Sequence, residues 1–119
     1  MTIRPTNRYD RYHAHVYFDA DTVELADTIC HEAGNKLQIP VGRVHRQPVG
    51  PHPCWSCQLS FDRDQFDEVI NWLEENRQGL NILVHGLTGD DLADHTTHAS
   101  WLGNSVALNL KMFQKSSSS

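Results

Sequence analysis

The chain lacks most of what marks the commoner functional classes. No apolar run in its 119 residues approaches the ~18 needed to cross a bilayer, so no membrane role is expected. Basic residues form no stripe and the formal net charge is −5, which argues against nucleic acid as a partner. Cysteine is scarce: three residues, an odd count that speaks against a disulfide framework and for a reducing compartment. The opening MTIRPTNRYDRYHAH has no apolar stretch of the secretory kind, from which a cytoplasmic location is expected. A glycine-rich phosphate loop, a Gly-x-Ser-x-Gly elbow and the carboxylate pair of glycoside chemistry are missing too. Cys54 and Cys57 have the Cys-x-x-Cys spacing, but they fall in a strand-like stretch where residues three apart face opposite ways. No second pair completes a zinc site, so both read as structural.

What is abundant is histidine, eight residues against ten Lys plus Arg. Hydrophobic residues at 39% and charged residues at 21% suit one globular domain. Residues 1–11, with Pro5, read as a loose lead-in, 12–113 as the single domain, and 114–119 as a polar, disordered tail. Residues 12–18 (YHAHVYF) alternate and read as a strand. Asp21 with Glu24 fits a reciprocal N-cap for a helix through Leu25, Ala26, Ile29, Cys30 and Ala33, with Gly34 placed to stop it. A second strand falls within 38–46, followed by a Pro-rich turn over 47–53. A third strand carries Trp55, Cys57, Leu59 and Phe61. Asp62 or Asp64 caps a second helix through Phe66, Val69, Ile70 and Leu73, with Gly79 as its stop. Residues 80–85 form a fourth strand, 86–103 a polar loop with room for a helical turn, and 105–113 a fifth strand through Val106, Leu108 and Leu110. This order predicts an α+β, ferredoxin-like split βαβ fold: β-α-β-β-α-β plus a C-terminal strand. Its antiparallel sheet would run 4-1-3-2 with both helices on one face.

Strand alternation then sorts the side chains. With Ala14, Val16 and Phe18 under the helices, His13, His15 and Tyr17 take the opposite, open face. Ser56, Gln58, Ser60, Leu83 and His85 join them, as do Arg43 and His45 if Val44 faces the helices. A lone histidine is usually a surface or hydrogen-bonded side chain. A His-x-His pair with a third ring on the neighbouring strand reads instead as a metal site, and imidazole suits Fe, Zn, Cu or Ni. His13, His15 and His85 are therefore the expected ligands, in a site with open positions. His45 and His31 keep a structural reading. His52, in its proline-flanked turn, reaches the site only if that loop folds over the open face or belongs to a partner subunit. No Glu or Asp sits on that face, so either the donors are all histidine or Asp94 or Asp91 enters from the loop.

The motifs YHAHVYF at 12–18, VGPHP at 49–53, NILVH at 81–85, Asp94-His95 and Trp101-Leu102-Gly103 together resemble the DOPA 4,5-dioxygenase family. The likeness spans roughly residues 12–110. It implies a small single-domain enzyme that opens a catechol ring, of DOPA or a related dihydroxyphenyl compound, by extradiol cleavage with O2 and non-haem Fe(II). Carried over by position, it points to His13, His15, His52, His85 and His95. Beyond the three ligands, His95 and then His52 are expected to handle protons. Tyr17 and Gln58 are expected as walls, and Arg43 as partner for a substrate carboxylate. Two alternatives stay open: a zinc- or nickel-dependent hydrolase or isomerase on the same histidines, and a non-enzymatic small-molecule binding module. A homodimer is expected in either setting, because a bare sheet face is costly to expose.

Overall fold

The computed structural model describes residues 4–111. In chain order these form β1 (Arg11–Phe18), α1 (Val23–Leu37), β2 (Val41–His45), β3 (Trp55–Asp62), α2 (Phe66–Asn76), β4 (Ile82–Gly86), α3 (Asp91–Asp94) and β5 (Ala99–Leu102). The five strands make one antiparallel sheet in the order β2-β3-β1-β4-β5. Its first four strands have the expected split βαβ arrangement. β1 lies at the centre because it is apolar on its helix side along its whole length: Tyr12, Ala14, Val16 and Phe18 all enter the main core. That core also takes Ile29, Cys30 and Ala33 from α1, Val69 and Leu73 from α2, and Leu59, Ile82, Val84 and Leu102 from the sheet. At about 25 cal/mol per Å² of apolar surface removed from water, this layer supplies most of the driving force for folding.

The fifth strand is not where the alternation placed it. It is Ala99–Leu102, paired with β4 through Ile82↔Leu102, Leu83↔Trp101, Val84↔Ser100 and His85↔Ala99. Four residues are too few to show a period, so the stretch read as loop. Residues 105–110 carry no regular strand; Val106 and Leu108 pack against Tyr17, Leu83, Ala99 and Trp101. The rest of the expected strand, 112–113, and the expected tail at 114–119 lie outside the described residues. Part of the sheet's second face is thus covered by this chain itself: Tyr17, Leu83, Ala99 and Trp101 are all buried, while His13, Gln58 and Ser60 are half-buried.

Local signals were also reassigned. No Asp21–Glu24 box forms; Thr22 is the capping residue of α1, and Asp19 Oδ1 accepts from the backbone N–H groups of Asp21 and Thr22. Gly34 does not end α1, which runs on to Leu37 and stops at Gln38 with φ 55°. A Cβ on Gly34 would sit 2.5 Å from Val41 Cγ2, so this glycine lets β2 approach the helix. Before α2, Asp62 Oδ1 accepts from the N–H groups of Asp64 and Gln65, and Gln65 is the capping residue. In β2, Val41 pairs with Leu59 and Val44 with Cys57, which leaves one extra residue in the bulge between them. The bulge returns both valines to the helix side although they are an odd number apart.

Candidate metal centre

The open face of β1 sets the floor. His13 and His15 alternate outward from it, and β4 pairs His85 directly across from His13. Two loops bring further rings on top. The Pro-rich turn folds over the sheet, held by the Val49 carbonyl accepting from His52 N–H at 3.1 Å and the Pro51 carbonyl accepting from Asn109 N–H at 2.8 Å. His52 is consequently buried, its ring 4.1 Å from that of His15. From the other side comes α3, which the Asp90 side chain caps at Ala93 N–H. It delivers His95, whose ring centre lies 4.4 Å from that of His85 and 6.3 Å from that of His15. Five imidazoles meet in one place.

Ring nitrogens converge in two overlapping sets. His13, His15 and His85 form one, and His15, His52 and His95 the other; within each, the atoms lie within 4.8 Å of one another. His15 belongs to both. Its Nε2 is 3.0 Å from His85 Nε2. His85 Nδ1–H donates to the Gly86 carbonyl at 3.0 Å, and His95 Nδ1–H to the Asp91 carbonyl at 2.7 Å. Each bond fixes the proton on Nδ1 and leaves the Nε2 lone pair for a ligand, the arrangement that outer partners impose on metal-binding histidines. A proton shared between His15 and His85 satisfies both rings, and a metal ion could take its place.

The electrostatics favour the deprotonated form that metal binding requires. Burial lowers His85 to about 4, opposed by the Gly86 bond and helped by His95 and His13. Burial and the rings of His95, His85 and His45 likewise lower His52 to about 4. His15 is pushed well below its ordinary 6.5 by burial and then by His52, His85, His13 and His95. His13, half-buried, is lowered by burial and His95. Neutral imidazoles at neutral pH fit a transition-metal cation, and the carbonyls of Gly86 and Asp91 already orient two of the rings.

Neither set includes a carboxylate among the described residues. Asp94, although almost fully buried, is committed elsewhere: Thr88 Oγ1–H and N–H both donate to it, at 2.5 and 3.1 Å, and His98 Nδ1 lies 3.6 Å away. It pins the start of the loop that carries His95. Asp91 is exposed and contributes its carbonyl. The donor set is all imidazole.

The remaining expected residues are placed as follows. A cavity of about 150 Å³ opens beside the cluster, lined by His15, His45, Gly50, Pro51, His52 and Gln58 among others. Gln58 lines this cavity, and its Nε2 also approaches His13 Nε2 at 3.3 Å. Tyr17 does not; its hydroxyl lies 2.7 Å from His52 Nδ1, where burial keeps the phenol protonated. Arg43, in the bulge, is exposed and does not line this cavity. His45 does, and sequence reasoning gave it only a structural reading although alternation had placed it on this face. Cys57 is buried in the main core and Cys54 is half-buried beside Tyr17.

Comparison with known proteins adds an independent line. The model of the Dopa 4,5-dioxygenase family matches residues 12–112. A DOPA 4,5-dioxygenase from Amanita muscaria is 35% identical over 108 residues, covering 83% of this chain and 47% of that protein. An uncharacterized 21.2 kDa protein from Botryotinia fuckeliana is 34% identical over 91 residues, 67% of this chain and 50% of that one. The chain thus spans about half the length of the curated relatives it matches. Among solved structures, a candidate dioxygenase from Nostoc punctiforme superposes with a TM-score of 0.86 at 41% identity, covering 90% of this chain and 93% of that one.

Proposed function

Since the chain belongs to the Dopa 4,5-dioxygenase family, we propose that its histidine cluster holds one non-haem Fe(II) and that the protein cleaves a catechol ring with O2. One observation carries the reading: neutral imidazole nitrogens meet within 4.8 Å beside a cavity that opens next to them. His13, His15 and His85 would hold the ion, since all three rise from adjacent strands of the rigid sheet. When bound, Fe(II) gathers both catechol oxygens and O2 at one centre and supplies the redox chemistry.

The chain's own residues do the rest. His52 borders the cavity, and of the two rings outside the sheet set it is the better placed to take the first catechol proton, on Nε2. Tyr17 positions it: the hydroxyl accepts Nδ1–H and steadies the ring once it is charged. His95, its ring centre 4.4 Å from that of His85, serves the later proton return. Gln58 flanks the catechol from β3.

Anaerobic Fe(II) loading followed by a panel of DOPA, caffeate and protocatechuate tests the reading. O2 uptake with a yellow ring-opened product is the expected result; bound metal with no catechol consumed overturns it. The all-imidazole donor set suits zinc or nickel equally, which keeps a hydrolase or isomerase as second reading. Restoration of activity by Zn(II) or Ni(II), and not by Fe(II), would favour that one.

A further inference from the structure

We propose that a second cavity, lined by Arg4, Arg8 and His98, binds a small phosphate-type oxyanion. The proposal does not depend on the ring-cleavage reading, because this cavity and the one beside the histidine cluster share no lining residue.

The site is built by the stretch ahead of β1, which the sequence presents as a loose lead-in and the fold ties down. Tyr12 is buried on the helix side of β1. Its hydroxyl accepts from the backbone N–H groups of Arg8 and Tyr9 at 2.6 and 2.7 Å and donates to Asn7 Oδ1 at 2.9 Å. Asn7 Nδ2 donates in turn to the Arg63 carbonyl at 3.0 Å. The Tyr9 ring packs on Gly86, where a Cβ would meet it at 2.3 Å, and lies 5.5 Å from the ring of His98. These anchors hold the two arginines against a cavity of about 220 Å³ that Thr97, His98 and the end of β4 also line.

Its chemistry is that of an anion site. No carboxylate lines the cavity, in a chain where Asp plus Glu number 15 against 10 Lys plus Arg. Its polar side chains are guanidinium groups, imidazole and hydroxyls, all able to donate. Arg8 has no ion-pair partner among the described residues. Arg4 is bridged to Glu74 at 3.2 Å, but at the surface such a bridge is worth about 0–1 kcal/mol, little enough for a second anion to compete. Two guanidinium forks favour phosphate, which offers more acceptor oxygens than a carboxylate. Size narrows the class further. The cavity is smaller than the roughly 300–1,000 Å³ of pockets for drug-sized ligands, so it suits inorganic phosphate or a compact monoester.

Isothermal titration of the full chain at low salt with inorganic phosphate, phenyl phosphate and acetate tests the proposal. A phosphate ligand should bind at one site, about tenfold or more tighter than acetate. Tighter binding of phenyl phosphate assigns the monoester; phenyl phosphate no tighter than inorganic phosphate assigns the free ion. Arg8→Ala should weaken binding about tenfold or more and Arg4→Ala about threefold, while Arg43→Ala, exposed and outside the cavity, should change it less than about twofold. In the unaltered protein, NMR amide shifts on titration should centre on Tyr9, Thr97 and His98. No binding up to about 10 mM, acetate as tight as phosphate, equal affinity in Arg8→Ala, or shifts centred on His15 and His52 would each overturn the proposal.

Discussion

Acid should unfold the metal-free protein earlier than its carboxylates alone would dictate, and His85 sets the scale. In the fold, burial holds this ring neutral down to about 4 against an ordinary 6.5. Unfolding returns it to water, where it takes a proton near 6.5. A base whose folded pKa is depressed gives its full stability above about 6.5; that stability is lost as the pH falls and stops changing below about 4. At about 1.4 kcal/mol per pH unit, His85 alone removes about 2–3 kcal/mol by pH 4.5. His15 and His52, both buried, act in the same direction; His13, half-buried, adds less, because water reaches it and screens its charge. Against a total of about 5–15 kcal/mol for a typical domain, this is a large share. Urea unfolding with a chelator present, followed by tryptophan fluorescence from pH 7.5 to pH 4.5, should show the midpoint falling by about 1–2 M. His85→Gln removes the titrating ring, so its stability should vary less over the same range by about 2–3 kcal/mol. Parallel pH dependences of the two proteins would refute the reasoning, because they would mean His85 protonates as easily folded as unfolded.

Other changes probe other links. His15 is shared by both donor sets, so His15→Ala should abolish stoichiometric metal binding, whereas His13→Ala leaves the set with His52 and His95 intact; metal analysis after anaerobic loading distinguishes them. Tyr17→Phe removes the partner of His52 and should lower kcat about tenfold or more at unchanged metal content, with stability within about 1 kcal/mol. Asp94→Asn takes one acceptor from the Thr88 clamp and should cost about 1–3 kcal/mol in a chemical melt. Gly86→Ala would put a Cβ 2.3 Å from the Tyr9 ring, and should lower stability by about 1–3 kcal/mol, read as a drop in Tm.

The sheet and the floor of the site were legible because both depend on a period of two. YHAHVYF declares its faces outright, and once β1 and β4 are neighbours His85 must meet His13. Residues whose place depends on a loop's path were not legible. That His52 turns inward depends on the Pro51 carbonyl bonding Asn109 N–H and on the Tyr17 hydroxyl meeting His52 Nδ1, long-range partners that no local pattern encodes. β5 was missed because Ser100 and Trp101 sit in a four-residue stretch whose strand state comes from pairing with β4 rather than from propensity. Gly34 misled because a glycine at a helix end and a glycine under a crossing strand look alike in sequence; only Val41 tells them apart. The role of Asp94 was hidden similarly, since a buried acid near histidines reads as a ligand until Thr88 is seen to claim both oxygens.

The Asn109–Pro51 bond makes the segment around Asn109 a mechanical handle on the loop that carries His52. Any fusion, tag or trimming that tugs on the backbone around position 109 pulls on the peptide next to His52. An expression vector that alters this region therefore disturbs the histidine cluster, and comparisons between preparations should keep it identical.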